Sequence, residues 1–246
     1  MILGIIGGGR AAWAFGSTWQ RIGWRVSGVA LRDGSSSPIA RLLGVDRKSL
    51  DELAAESEVI LIAVNDTAIA EFAQRIPETN AILFHPSGSM TSVRGGFSLH
   101  PLRALPLLGQ PSDLRDTLLV FEGAHRDVAE HIAREAGARL AEVAPEMKPL
   151  YHAGAVFGAN DVAALLDIAE GLMREAGVTN VRGDLAALAE SAVANWLAHT
   201  DAKRFTGPAA RGDDDVVERH IALLHDRPEL AQIYRLLADR IIAARK

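Results

Sequence analysis

The segment that decides the fold lies near the start of the chain and reads Ile2-Leu3-Gly4-Ile5-Ile6-Gly7-Gly8-Gly9-Arg10-Ala11-Ala12. An apolar run leads into the pattern G-x-G-x-x-A, and a helix-like stretch follows it. Gly7 permits a tight turn, Gly9 lets the backbone approach phosphate groups, and Ala12 keeps the helix close to the strand. The helix N-terminus adds unpaired N–H groups and a partial positive charge. The pattern predicts a dinucleotide pyrophosphate site at Gly7, Gly8, Gly9, Arg10, Ala11 and Ala12, and the alternative is a turn that merely needs glycine.

The composition is that of an ordinary globular protein, and it narrows the choice of partners. Of the 246 residues, 48% are hydrophobic and 23% are charged. The formal net charge of −5 argues against nucleic acid or an anionic membrane as the main partner. The chain has no cysteine, which excludes disulfides, thiolate metal ligands and a cysteine nucleophile and suits a cytoplasmic location. No apolar run approaches the roughly 20 residues of a membrane-spanning helix.

The first half of the chain alternates apolar segments with amphipathic ones, which is typical of a parallel sheet covered by helices. Most apolar segments are continuous, as in Val59-Ile60-Leu61-Ile62-Ala63-Val64, and this favours strands buried on both faces. Strands are predicted at Ile2–Ile6, Arg25–Leu31, Val59–Val64, Ala81–His85, Phe97–Leu99, Thr117–Phe121 and Arg139–Val143. Helices are predicted at Arg10–Ile22, Leu50–Ala55, Ala68–Ile76 and Val128–Ala136.

The second half of the chain is almost free of strand patterns. After Pro145, segments rich in alanine and leucine follow one another, separated by short breaks. Helices are predicted at Met147–Ala176, Leu185–Ala202, Asp213–Leu224 and Glu229–Ala244. We therefore expect two domains, an α/β dinucleotide-binding domain at residues 1–144 and an all-helical domain at residues 145–246.

The end of the second strand indicates which dinucleotide is preferred. The position that reads the ribose lies about 20 residues past the glycines, within Val29-Ala30-Leu31-Arg32-Asp33-Gly34-Ser35-Ser36. Arg32 and Ser35 are suited to the 2′-phosphate of NADP, whereas an acidic residue favours the free ribose of NAD. Asp33 keeps the second alternative open, although a turn residue before glycine is its simpler interpretation. The sequence favours NADP(H) over NAD(H).

Several short motifs, found in order along nearly the whole chain, carry a resemblance to a known family. Besides the glycine turn they are Ala63-Val64-Asn65-Asp66-Thr67-Ala68-Ile69, His85-Pro86-Ser87-Gly88, Ser98-Leu99-His100-Pro101-Leu102, Phe121-Glu122-Gly123, Lys148-Pro149-Leu150-Tyr151-His152-Ala153, Phe157-Gly158-Ala159-Asn160, Thr206-Gly207-Pro208-Ala209-Ala210-Arg211-Gly212-Asp213 and Arg219-His220. The sequence resembles short Rossmann-like proteins with a C-terminal helical domain of unknown function. These are related to the 6-phosphogluconate dehydrogenase superfamily and to deazaflavin-linked NADP reductases.

This resemblance implies a Rossmann-type α/β domain followed by an all-α domain like the C-terminal domain of 6-phosphogluconate dehydrogenase. It places Val64, Asn65 and Asp66 on the cofactor side of the sheet. Asn65 and Pro86 stand where the family pattern leads us to expect proline and a small residue. Both lie in the expected cofactor-side loops, so they bear on how the cofactor fits.

The resemblance also implies a lysine on the first long helix after the Rossmann domain, with a polar partner one turn later. Lys148 and His152 stand in that relation, since positions i and i+4 share a helix face. The positive end of the helix is expected to lower the pKa of Lys148. Asn160 is a further candidate catalytic residue, because a mid-helix asparagine among alanines has little propensity reason to be there. The simpler alternatives are a solvated lysine at a helix start and a half-buried histidine.

Three more residues are candidates for binding the substrate. His85 and His100 follow or end predicted strands, and the carboxyl ends of strands are where open α/β sheets bind ligands. Arg211 could hold a substrate carboxylate, or it could pair with the aspartates that follow it and hold the loop. The histidine spacings match no metal-binding pattern, so no metal site is predicted.

The leading hypothesis is an NADP(H)-dependent oxidoreductase that acts on a small polar carbonyl, hydroxy or imine substrate in a cleft between the domains. One alternative is a nucleotide-binding sensor or scaffold without turnover. Another is an enzyme that uses the dinucleotide site for a different ligand. Analogy to relatives and the apolar helix faces around Ile221 and Ile233 favour a homodimer.

Overall fold

The computed structural model describes residues 1–32 and 35–245, and it divides the chain into two compact units. Unit 1 comprises Met1–Asp161 and unit 2 comprises Val162–Lys246. The unit boundary lies later than the sequence predicts, after residue 161 rather than after residue 144. The helix that begins at Lys148 therefore belongs to unit 1, where the buried Lys148 side chain bonds to Ser98.

Unit 1 is built on one sheet of seven strands, and all seven lie where the sequence predicts them. The strands are β1 (Ile2–Ile6), β2 (Arg25–Ala30), β3 (Val59–Ile62), β4 (Ile82–His85), β5 (Phe97–Pro101), β6 (Leu118–Gly123) and β7 (Arg139–Glu142). Their order in the sheet is β2-β1-β3-β4-β5-β6-β7. This order brings the carboxyl ends of the adjacent parallel strands β1, β3 and β4 to one edge of the sheet.

One strand pair departs from the parallel arrangement that the sequence predicts for the sheet. Strands β5 and β6 run antiparallel, with Ser98 opposite Glu122 and His100 opposite Val120. A parallel pair needs a crossover connection, and the chain between β5 and β6 contains no helix that could provide one. The chain therefore reverses direction, and β6 and β7 continue in the new direction.

The helices of unit 1 are α1 (Arg10–Arg21), α2 (Ile39–Leu43), α3 (Leu50–Glu56), α4 (Ile69–Arg75), α5 (Arg126–Ala136) and α6 (Lys148–Gly158). Helix α2 is absent from the sequence prediction, because five residues give too short a periodic pattern. The predicted single helix Met147–Ala176 is wrong, since Ala159 has φ −132° and ψ −72° and separates α6 from α7 (Asn160–Glu175). The low helix propensity of Gly158 favours a break at this point.

The sheet is covered on both faces, as its continuous apolar strands predict. Leu61 packs in a cluster with Phe15 and Phe84, whereas its neighbours Ile60 and Ile62 pack in a second cluster. Because successive side chains of a strand point to opposite faces, the two clusters lie on the two sides of the sheet.

Unit 2 is helical, as the sequence predicts. After α7 it contains α8 (Arg182–Ala198), α9 (Pro208–Arg211), α10 (Asp214–Leu223) and α11 (Pro228–Ala243). Ala209, Val217 and Ala238 form its small buried core. Among the described residues no helix is both long enough and apolar enough to cross a membrane.

Candidate functional site

The glycine turn after β1 has the geometry that the sequence predicts for a phosphate-binding turn. Gly7 has φ +114°, and a Cβ at this position would overlap the carbonyl oxygen of Ala63. Gly9 begins α1 without a side-chain cap, and the space that its Cβ would occupy is open. Ala12 is fully buried against the sheet. The first N–H groups of α1 are therefore available to an anion.

The segment after β2 is tied to this turn by a serine that the sequence analysis did not single out. The Ser37 hydroxyl donates to the Gly8 carbonyl oxygen at 2.8 Å. Arg32 is exposed and Ser35 is half-buried, and the backbone N–H of Ser35 donates to the Arg32 carbonyl oxygen. Asp33, the alternative ribose-reading residue, lies outside the described residues.

The loop after β3 connects to the loop after β4 through one carboxylate. Asn65 precedes a short 3-10 turn that begins at Asp66. The Asp66 Oδ2 atom accepts hydrogen bonds from the Ser87 and Ser89 hydroxyls, both at 2.8 Å. Since β3 and β4 are adjacent and parallel, these contacts lie at the same sheet edge as the glycine turn.

Lys148 is the most unusual residue of unit 1, because its side chain is fully buried. Its Nζ donates to the Ser98 Oγ at 2.6 Å and to the Ser87 carbonyl oxygen at 3.3 Å. The alternative interpretation as a solvated lysine is therefore wrong. Burial lowers the pKa of Lys148, while the charges of Glu122 and Asp66 oppose that effect. The sequence predicts the direction of this shift but assigns it to the helix terminus, whereas burial is the cause.

A buried carboxylate lies close to Lys148, and the Ser98 hydroxyl bonds to both groups. Glu122 is only 3% exposed, and its Oε2 accepts from the Ser98 hydroxyl at 3.2 Å and from the Ser92 N–H at 2.8 Å. The Ser92 hydroxyl donates to Oε1 at 3.0 Å. Sequence reasoning did not select Glu122, Ser98 or Ser92 as functional. The sequence did contain a signal for Glu122, because an acidic residue at the end of an apolar strand has no packing reason to be there.

Two histidines and a tyrosine lie beside the lysine. His100 Nδ1 and the Tyr151 hydroxyl are 2.6 Å apart, and the His100 and His152 rings stand nearly perpendicular with centroids 5.7 Å apart. His152 Nδ1 is buried and has no hydrogen-bond partner among the described residues. A Cβ on Gly88 would lie 2.5 Å from that nitrogen, so the absence of a side chain at Gly88 makes room for His152.

His100 and Tyr151 are neutral hydrogen-bonding groups at ordinary pH. Burial, together with the positive charge of the nearby Lys148, lowers the pKa of His100 to about 4. Burial raises the pKa of Tyr151 to about 12. A neutral His100 can donate or accept a hydrogen bond to a substrate, but it adds no charge with which to hold an anion.

His85 is placed differently from the other two histidines. It is fully buried, its Nδ1 accepts from the Ser87 N–H at 3.3 Å, and its Nε2 lies 3.0 Å from the Thr91 carbonyl oxygen. This pattern requires a neutral ring with the proton on Nε2. Both nitrogens are engaged, so His85 holds the loop after β4 and offers no free atom to a substrate.

Asn160 bonds to none of the side chains around Lys148 in the described part of unit 1, and Arg211 belongs to unit 2. Asn160 is exposed and begins α7, so it is not the mid-helix residue that the sequence predicts. Arg211 bonds to Asp213 within unit 2 at 2.7 Å, as the loop-holding alternative expects. The described residues also contain no group of three or more His, Asp or Glu side chains placed to hold a metal ion.

Comparison with protein families identifies the chain. A family described as a domain of unknown function (DUF2520) matches residues 119–241, and a Rossmann-like domain matches residues 1–104. The chain belongs to the DUF2520 family. A search of curated protein sequences finds no match.

Solved structures with the same fold include several oxidoreductases. A candidate NADP oxidoreductase from Bacteroides fragilis is 21% identical, with 98% of both chains covered and a TM-score of 0.78. Protein TM1727 from Thermotoga maritima is 22% identical, with 99% of this chain and 98% of that chain covered and a TM-score of 0.77. A reductive aminase from Aspergillus terreus in complex with NADPH is 16% identical, with 98% and 89% covered and a TM-score of 0.61. At these identities the similarity establishes the fold.

The lowered pKa of His100 predicts how stability depends on pH. The ordinary pKa of 6.5 falls to about 4 in the folded protein. As pH falls through this interval, the unfolded chain takes up a proton that the folded protein does not. The wild type should therefore lose up to about 3 kcal/mol relative to His100→Asn between these pH values, and nothing above them.

Urea unfolding at a series of pH values measures this difference. The matched control is His125→Asn, because His125 is an exposed histidine whose positive φ asparagine tolerates. Parallel stability curves for the wild type and His100→Asn would contradict the prediction.

Proposed function

We propose that this protein is an oxidoreductase that uses a nicotinamide dinucleotide, with NADP(H) preferred over NAD(H). The substrate is a small polar carbonyl, hydroxy or imine compound. One observation carries the proposal: the buried Lys148 ammonium bonds to the Ser87 carbonyl oxygen, in the loop after β4. That loop lies at the same sheet edge as the glycine turn after β1.

The residues at the glycine turn fit a dinucleotide. Gly7 requires its positive φ, Gly9 leaves open space, and α1 begins without a side-chain cap. These features suit a pyrophosphate, and the exposed Arg32 after β2 suits a 2′-phosphate. The NADPH complex of the related fold from Aspergillus terreus supports the same assignment. When bound, the nicotinamide would donate or accept a hydride.

Lys148 would stabilise charge on the substrate atom that gains or loses a proton. An ammonium has three N–H donors, and the 3.3 Å bond to Ser87 is the weaker of the two that it makes here. In a substrate complex that donor would turn from the Ser87 oxygen to the substrate oxygen or nitrogen. The half-buried His152 and Tyr151 would exchange the proton with water, because Lys148 itself is enclosed.

The enclosure of Lys148 also favours a second candidate function. A protein that binds the dinucleotide as a sensor, without turnover, could use the buried lysine only to hold α6 against the sheet. The two candidates differ in what removal of the ammonium would do.

The cofactor assignment predicts a selective thermal shift. NADPH at about 100 times its dissociation constant should stabilise the protein by roughly 2.7 kcal/mol, and NADH at equal concentration by less. Arg32→Ala should reduce the NADPH shift and leave the NADH shift unchanged, since only NADPH carries the 2′-phosphate. Arg25→Ala is the matched control, because Arg25 is an exposed arginine at the other end of β2. No shift with any dinucleotide would contradict the assignment.

The role of Lys148 predicts a loss of turnover with binding preserved. Lys148→Met keeps most of the buried stem but removes the ammonium, so turnover of a reducible substrate should fall by about 10²–10⁴-fold. The NADPH thermal shift should remain. Lys203→Met is the control, since Lys203 is exposed in unit 2. Unchanged turnover in Lys148→Met would contradict the role, and a wild type that binds NADPH but turns over no carbonyl or imine would favour the sensor.

We also propose a homodimer formed through the helical unit. Helix α7, all of whose residues are described, buries no side chain, and the 17 residues of α8 bury only Leu185. Trp196 and Leu197 on α8 are 61% and 71% exposed. A second copy would cover this apolar surface.

The homodimer predicts a mass of two chains in size-exclusion chromatography with light scattering. Leu197→Glu should give the mass of one chain, because a charge would be buried at the interface. Leu107→Glu changes an equally apolar exposed residue in unit 1 and should leave the dimer intact. A wild type with the mass of one chain at micromolar concentration would overturn this proposal.

A further inference from the structure

The buried Glu122 has no function in the proposal above, although its position is costly. A buried carboxylate loses its hydration, and its partners must compensate for that loss. Three donors do so here: the Ser92 N–H, the Ser92 hydroxyl and the Ser98 hydroxyl. Among the described residues, no arginine or lysine bonds directly to Glu122. Hydrogen bonds connect Glu122 to the Lys148 ammonium through the Ser98 hydroxyl.

The hydrogen-bond directions in this chain of groups are fixed by chemistry. The Lys148 ammonium can only donate, so the Ser98 Oγ accepts from it. The Ser98 hydroxyl has one hydrogen, and it therefore points to the Glu122 Oε2. The order is ammonium to hydroxyl to carboxylate, with a negative charge at the far end.

The titratable groups near Lys148 lie on several elements of unit 1. Glu122 lies on β6 and Asp66 follows β3, and both favour the protonated lysine, with Glu122 the stronger of the two. His85 on β4 and His100 on β5 have lowered pKa values and stay neutral. Asp66 is exposed, so water screens its charge more than it screens the charge of Glu122.

We infer that Glu122 is a positioning residue, which acts through the Ser98 hydroxyl to keep Lys148 protonated and aimed into the candidate site. The catalytic part of this inference rests on the proposed function, because the enclosed Glu122 can affect a substrate only through Ser98 and Lys148. Its physical content, an energetic coupling between Glu122 and Lys148, is independent of any reaction.

A double-mutant cycle on the full-length protein tests this coupling without an activity assay. Glu122→Gln keeps the shape of the side chain and removes its charge, which leaves the Lys148 ammonium uncompensated. At pH 7 we expect its melting temperature to fall by about 5–10 °C. In the Lys148→Met background the same substitution should cost less than half as much, because no buried charge remains to be compensated. Equal losses in both backgrounds would overturn the inference.

The pH dependence of this loss has a definite sign. Loss of the Glu122 charge lowers the folded-state pKa of Lys148 further below its unfolded value. The variant therefore loses most stability relative to the wild type at pH values where Lys148 is protonated in both folded proteins. The difference in melting temperature between the wild type and Glu122→Gln should shrink as pH rises from 7 to about 10. Glu142→Gln is the matched control, since Glu142 is an exposed glutamate on the adjacent strand β7. A pH-independent difference would contradict the coupling.

Ser98→Ala provides a second route if Glu122→Gln does not fold. It retains both charges and removes the hydroxyl between them, so it should lower the melting temperature more in the wild type than in the Lys148→Met background. Equal losses in both backgrounds would overturn the part of the inference that assigns Ser98 as the connection.

Turnover adds a readout that a purely structural role would not change. If Lys148 must be protonated, the alkaline limb of the kcat/KM profile reports its pKa. Glu122→Gln should move that limb to lower pH, and Glu122→Asp should restore it in part. An unmoved limb would overturn the inference, whereas a wild type without turnover would overturn the proposed function and leave the stability cycle to decide the coupling.

Discussion

Enclosing the Lys148 ammonium costs free energy, and unit 1 offsets that cost only when three elements meet in one arrangement. Ser98 must face the ammonium from β5, and the Ser87 carbonyl oxygen must reach it from the loop after β4. Glu122 must stand opposite Ser98 on β6. A slip of one residue between β5 and β6 would turn the partner to the other face of the sheet. The charge therefore fixes both the position of α6 and the register of the antiparallel pair.

The loop after β4 joins the two halves of the candidate site. Asp66, in the loop after β3, accepts from the Ser87 and Ser89 hydroxyls, while Lys148 donates to the Ser87 carbonyl oxygen. His85 also holds this loop, because its Nδ1 accepts a hydrogen bond from the Ser87 N–H. One short segment thus connects the loop after β3 to the first helix beyond the sheet.

The side chains near Lys148 define the chemistry that the site can support. His100 stays neutral and is paired with Tyr151, and His152 keeps one buried nitrogen without a partner among the described residues. His100 and Tyr151 therefore donate and accept hydrogen bonds without adding charge. This property supports the proposed carbonyl or imine substrate.

The sequence by itself determined the fold class, because each strand and helix of unit 1 depends on a local pattern. The continuous apolar run at Val59 and the glycines at residues 7–9 specify a strand and a turn from within a few residues. The resemblance to a known family selected Lys148 and His152, whose spacing places both on one helix face. Local reasoning failed at Ala159, where the continuous alanine-rich pattern concealed a break between two helices.

Only the tertiary structure decided what surrounds Lys148. Ser98 and Glu122 come from strands whose antiparallel pairing no local pattern indicates. Nothing in the sequence therefore connects either residue with a lysine on a later helix. Burial itself is a long-range property, since it depends on which elements pack over a side chain. For that reason the sequence located the candidate lysine, and the fold decided that its charge is enclosed and balanced by a carboxylate.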